Sequence, residues 1–213
     1  MITHEDQMQL FSIISKELRR DITCFAFGGN AMMFYGYKDE TKDIDLLFED
    51  IKEREEFIRV IKKIGFIETS PIKIYNTEKL RDKSKPIMFK REDYRFDLFV
   101  KKIFRTRLSP KMKEDKFAVH EFRGKHRIMI NIMKKEHIVQ LKAITEREKD
   151  FADIIMILQK EKRFDWNYLI EEVIWQYAKG DKWAIIDMER TMNELKEYIF
   201  IEKKYFNKLY NKR

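Results

Sequence analysis

A mixed β-sheet flanked by helices, leading into an all-helical C-terminal region, is the α+β architecture that this sequence predicts. Three observations predict it. Short apolar runs suited to strands alternate with helical periodicity between residues 22 and 130, and from Lys134 onward the pattern is helical alone. The third is residues 22–49: the apolar run Ile22 to Phe27 stops at Gly28-Gly29, a short helical segment follows, and Asp43 and Asp45 then alternate with Ile44, Leu46 and Leu47. The chain divides accordingly into residues 1–133 and 134–213.

Each element has its own signal. Met8, Phe11, Ile14 and Leu18 recur at helical spacing, so residues 5–20 form an amphipathic helix. Residues 22–27 are the first strand, 30–35 a short helix, and Gly36 with the polar residues 38–41 a loop into a second strand at 43–48. Phe57, Ile58, Ile61 and Ile64 share one face of a helix over 52–64 that Gly65 ends, and a short strand follows at 66–68. Between Ser70 and Lys85 the pattern weakens; a short strand at 72–75 in an otherwise mobile loop is the expectation. Ile87 to Phe89 and Arg95 to Val100 are strands about a charged turn, and 117–122 with 126–130 form a hairpin about Arg123-Gly124-Lys125. Leu141, Ile144, Phe151, Ile154, Ile155 and Leu158 supply the apolar faces of one bent or two successive helices. Beyond residue 164, Gly180-Asp181 breaks an aromatic-rich helical stretch whose rings are expected to pack in the core, and the tail is basic.

Bulk properties exclude several classes. A chain of 213 residues that is 44% hydrophobic and 14% aromatic is neither disordered nor too small for a core. The single Cys24 excludes an intramolecular disulfide and fits a reducing compartment. No secretory signal and no apolar run of membrane-spanning length is visible, so a cytoplasmic protein is expected. The net charge of +8 favours a polyanionic partner, and residues 101–127 concentrate it, with ten Lys or Arg against three Asp or Glu. A solvated basic face is the alternative for that stretch.

The chemistry centres on the glycine pair and the acidic strand. Strand alternation puts Asp43 and Asp45 on one face, their Cα atoms roughly 6.5–7 Å apart, within reach of one cation. The paired glycines let backbone approach a ligand, and the first N–H groups of the following helix attract phosphate. Gly28-Gly29-Asn30-Ala31 followed by Asp43-Ile44-Asp45-Leu46 resembles the nucleotidyltransferase superfamily, with its DNA polymerase β-like fold. Asp97, between Phe96 and Leu98, matches that superfamily's third metal-binding carboxylate in strand order. A structural alternative is that Asp97 pairs with a nearby Lys or Arg.

A second stretch narrows the resemblance. Lys142, Arg147, Lys149-Asp150 and Asp153 are similar in spacing to a segment of the abortive-infection branch, the toxins of type IV toxin–antitoxin pairs. Thr145-Glu146 departs from the small residues usual there. The resemblance implies an Mg²⁺-dependent transfer of NMP from an NTP such as ATP, with two ions held by Asp43, Asp45 and Asp97. Gly28, Gly29, Asn30, Lys142, Arg147 and Asp150 would contact the nucleotide. The acceptor would be a tRNA 3′ end or a protein hydroxyl, and a cognate antitoxin would be a partner; the basic balance favours RNA. The alternatives are an inactive nucleotide- or nucleic-acid-binding protein of the same fold and a nucleotidyltransferase of the antibiotic-modifying type. For the helical segment, ion pairs at i,i+3 and i,i+4 spacing are the competing explanation.

Overall fold

The structure is a computed structural model that describes residues 1–70, 72, 77–145 and 147–212. Two compact units are present: Met1–Leu108 with Lys113–Met133, and Ser109–Met112 with Lys134–Arg213. The strand expected at 72–75 lies, apart from Ile72, outside the described residues.

The first unit is built on a mixed sheet of β2 (Ile22–Phe27), β4 (Ile44–Phe48), β5 (Ile67–Thr69), β6 (Ile87–Arg91), β7 (Tyr94–Val100), β10 (Lys116–Arg123) and β11 (Arg127–Met133), with helices packed on it. Their order across the sheet is β10-β11-β2-β4-β7-β6-β5. The β11–β2 and β4–β7 pairs are parallel and the others antiparallel. Short β8 (Lys102–Ile103) and β9 (Thr106–Arg107) extend from the end of β7. One face is covered by α3 (Ile51–Lys63), whose apolar stripe buries Phe57, Val60 and Ile61. Phe57 sits 5.5 Å from Phe48 and 5.2 Å from Phe96, ring centre to ring centre. Burying a side chain of that size contributes about 1.5–3 kcal/mol. Asp50 caps α3 by accepting from Lys52 N–H, and Lys62 and Lys63 complement the helix dipole in its last turn.

The helix α1 (His4–Glu17) opens with a reciprocal cap in which Thr3 and Asp6 satisfy each other's N–H groups. Just before it, β1 (Ile2–Thr3) pairs with β3 (Glu40–Thr41), a two-residue ladder too short to register as periodicity. The helix α2 (Gly28–Phe34) begins at the glycines themselves, two residues before the expected start, because φ of +65° at Gly28 reverses the chain within one residue. The other strands that the sequence predicted lie within three residues of their expected positions, the shifts falling at element ends, while two-residue β8 and β9 were not expected.

The segments α4 (Thr77–Arg81) and α5 (Pro110–Glu114) are single-turn helices. The second unit carries α6 (Lys135–Ala143), α7 (Glu148–Lys160), α8 (Trp166–Ala178), α9 (Ala184–Leu195) and α10 (Lys203–Tyr210). Its core is mainly aliphatic: Ile138, Ile154, Ile157, Leu169, Val173 and Met188 are buried. The C-terminal aromatics lie further out than expected, with Trp183 about half exposed. Buried Glu172 and Gln176, hydrogen-bonded to each other on α8, take inward positions that a hydrophobicity pattern assigns to apolar residues. No helix among the described residues is long and apolar enough to cross a membrane.

Candidate functional site

Parallel pairing of β4 with β7 sets Asp45 directly opposite Asp97 in the ladder. Ladder partners project to the same face, so Asp45 and Asp97 share one; Asp43, the residue before β4, is brought to that face by its ion pair with Arg95, which also binds Asp97. It is the face opposite α3, where Phe27 and Phe99 also meet. Asp97 is buried, at 1% exposure, while Asp43 keeps 17% of its side chain accessible.

Arg95 binds two of these carboxylates, so the structural alternative for Asp97, a nearby Lys or Arg as its partner, is what the structure shows. Its Nε donates to Asp97 Oδ1 at 2.8 Å, and its Nη2 donates to Asp97 Oδ2 at 3.3 Å and makes an ion pair with Asp43. Burial works against the charge on Arg95, but the attraction of Asp97 and Asp43 outweighs it and raises its pKa above the ordinary arginine value. A signal was there to be read: Arg95-Phe96-Asp97 on a strand places Arg and Asp on the same face. No three His, Cys, Asp or Glu side chains among the described residues are gathered into a ready-made metal site. A guanidinium already stands between Asp43 and Asp97. The cation that these two carboxylates hold is that of Arg95, and a divalent ion would have to displace it to reach both.

The glycine turn is fitted to the same carboxylates. A Cβ on Gly28 would fall 2.2 Å from Asp45 Oδ2, and one on Gly29 would fall 2.4 Å from Thr41 Oγ1. Thr41 Oγ1 in turn reaches Asp43 Oδ1 at 3.5 Å. Fully buried Asn30 uses its Oδ1 to accept the Asp45 backbone N–H at 3.1 Å, tying α2 to the acidic strand. Gly28→Ala should therefore cost about 1–2 kcal/mol through the left-handed backbone alone. It should also push the Asp45 carboxylate aside. Chemical denaturation together with a transfer assay checks this; wild-type behaviour in both would contradict the close fit.

Lys142, Arg147 and Asp150 belong to the second unit and form one network there. Lys142 Nζ donates to Asp150 Oδ1 at 2.9 Å and to Asp153 Oδ2 at 2.6 Å, with all three side chains nearly inaccessible. Arg147 Nε donates to Asp150 Oδ2 at 2.6 Å, and Thr145 Oγ1 donates to the same oxygen. Burial alone would raise the Asp150 pKa, but Lys142 and Arg147 override it and hold it well below the usual carboxylate range. For Lys142, burial disfavours the charge, yet Asp150 and Asp153 lift its pKa above the ordinary lysine value. Asp153 is thus a buried partner rather than a surface charge. A cavity of about 500 Å³ beside the network is bordered by Arg147, Phe151, Arg190 and Tyr198.

The basic stretch 101–127 is partly neutralised within the chain. Ion pairs join Lys111 with Glu171, Lys113 with Glu49, Arg123 with Glu121 and Arg127 with Asp21.

Among solved structures, the chain is similar to JHP933 from Helicobacter pylori at 16% identity and a TM-score of 0.42, over 97% of this chain and 87% of that one. It is similar also to an H. pylori protein named as a candidate nucleotidyltransferase, at 17% identity and a TM-score of 0.41, over 97% of this chain and 89% of that one. No family model matches the sequence, and no curated protein matches it.

Proposed function

We propose that this protein is a nucleotidyltransferase moving an NMP from an NTP to an acceptor hydroxyl, with an RNA 3′ end as the favoured acceptor. One observation carries the reading: Asp45 and Asp97 face each other on two parallel-paired strands, with Asp43 drawn to the same face by Arg95, beside a glycine turn fitted to Asp45. Asp43, Asp45 and Asp97 would hold Mg²⁺, which when bound neutralises charge on the attacking and departing oxygens. The backbone at Gly28 and Gly29 would approach the β- and γ-phosphates, with Asn30 holding the acidic strand in place. In the transfer, the acceptor oxygen bonds to the α-phosphorus as the bond to pyrophosphate breaks. Asp97 takes the acceptor proton.

Lys142 was the residue that the resemblance put against the triphosphate. Its ammonium is committed to Asp150 and Asp153, so within the second unit it serves as the centre of a buried ion-pair network. The toxin role rests on the resemblance of residues 142–153 alone.

The test is incubation with each α-labelled NTP and Mg²⁺, adding total RNA or a protein lysate in turn. Label on RNA 3′ ends is the expected result. Label on protein alone would replace the acceptor, and no transfer to either would remove the proposal.

A further inference from the structure

Resting on that reading, an acceptor would arrive over the flank of the carboxylates away from the glycine turn. In-line displacement requires the attacking hydroxyl to approach opposite the leaving pyrophosphate. The glycine turn closes β2, which neighbours β4 on one side, while β7, β6 and β5 lie on the other side. If pyrophosphate departs over the turn, the acceptor must enter over β7 and β6.

A cavity of about 530 Å³ lies on that flank, bordered by Lys42, Lys90, Arg95, Thr69 and Asp93. Its link to the reaction centre is the ladder register. Lys90 pairs with Arg95 across β6 and β7, so its side chain emerges on the carboxylate face, beside the guanidinium that holds Asp43 and Asp97. Lys42 immediately precedes Asp43 in the chain. Both lysines are exposed, and among the described residues neither is ion-paired with a carboxylate. Asp93 is the one acidic side chain on the cavity wall among the described residues. Two uncommitted ammonium groups next to a carboxylate cluster suit a ligand that carries negative charge up to the reaction centre. A protein hydroxyl brings no such charge; a nucleic-acid strand brings one per nucleotide.

We infer that this cavity is the acceptor channel, in which Lys42 and Lys90 bind backbone phosphates of a single-stranded nucleic acid whose terminal hydroxyl points at Asp97. The experiment measures binding of a fluorescein-labelled 12-nucleotide RNA of mixed sequence by anisotropy across a salt series. A fluorescent ATP analogue is titrated in parallel. Lys42→Glu/Lys90→Glu should weaken RNA binding at least tenfold at low salt. It should also flatten the log–log salt slope by about 1.4, the value for two lost single-strand phosphate contacts. ATP-analogue binding should be unchanged. The milder Lys42→Ala/Lys90→Ala should move the same way by less, and an unaltered melting curve in either variant verifies folding.

Unchanged RNA binding in both variants, or no RNA binding by the wild type, would overturn the inference. Loss of ATP-analogue binding with RNA binding intact would assign the cavity to the triphosphate and overturn it equally. The transfer reading fails separately: RNA binding lost in the lysine variants, with no NMP transfer by the wild type, would leave the channel standing without the enzyme.

Discussion

Asp45→Asn should reduce nucleotidyl transfer by about 10³-fold or more, at or above the upper end of the range for loss of one electrostatic stabiliser, while the fold persists. The substitution keeps the side chain's shape and removes its charge. It leaves the backbone N–H that Asn30 accepts and the ladder to Asp97 intact. Asp97→Asn should match it in activity, yet it also halves the carboxylate partners of Arg95 and so should destabilise the first unit more. Label transfer measured beside a melting curve separates the two effects. Substantial turnover in Asp45→Asn would show that the shared face of these carboxylates has no part in catalysis.

Lys142→Met should destabilise the second unit by about 3–5 kcal/mol, the usual result of removing one partner from a buried ion pair. Asp150 and Asp153, each 4% exposed, would be left facing one another without their shared ammonium. The triple variant Lys142→Met/Asp150→Asn/Asp153→Asn should recover much of the loss, because no buried charge remains uncompensated. All three tryptophans, Trp166, Trp175 and Trp183, lie in the second unit, so urea unfolding followed by their fluorescence reports on it selectively. Linkage adds a pH signature. The lowered Asp150 pKa contributes stability fully above the unfolded value near pH 4, which is lost as pH falls through the folded value. The raised Lys142 pKa contributes fully below about pH 10.4 and is lost as pH rises through its folded value. A penalty under about 1 kcal/mol at neutral pH would mean that the pair is hydrated and not a structural anchor.

Much of the first unit could be read from the chain because its signals are local. Apolar alternation marked β4 and β7, and the Gly28-Gly29 stop marked the end of β2. Two residues of spacing placed Asp43 and Asp45 on one face. That Asp97 stands opposite Asp45 depends on a parallel pairing across some fifty residues of chain, which no local pattern specifies. A basic partner for Asp97 was an open alternative in the sequence; that Arg95 also holds Asp43 was not legible, because it depends on the same non-local pairing of β4 with β7. In the second unit, the spacing of Lys142, Asp150 and Asp153 was visible. Which of them turned inward was not, because a helical ion pair shows the same periodicity on the surface and in the interior. The β1–β3 ladder was too short to leave a pattern.

The guanidinium of Arg95 has one more consequence. An acidic cluster that brings its own counterion need not wait for a dissolved metal before the strands around it come together. Newly made chains should therefore mature in a chelator, and a divalent ion arriving later would compete with a tethered side chain for Asp43 and Asp97.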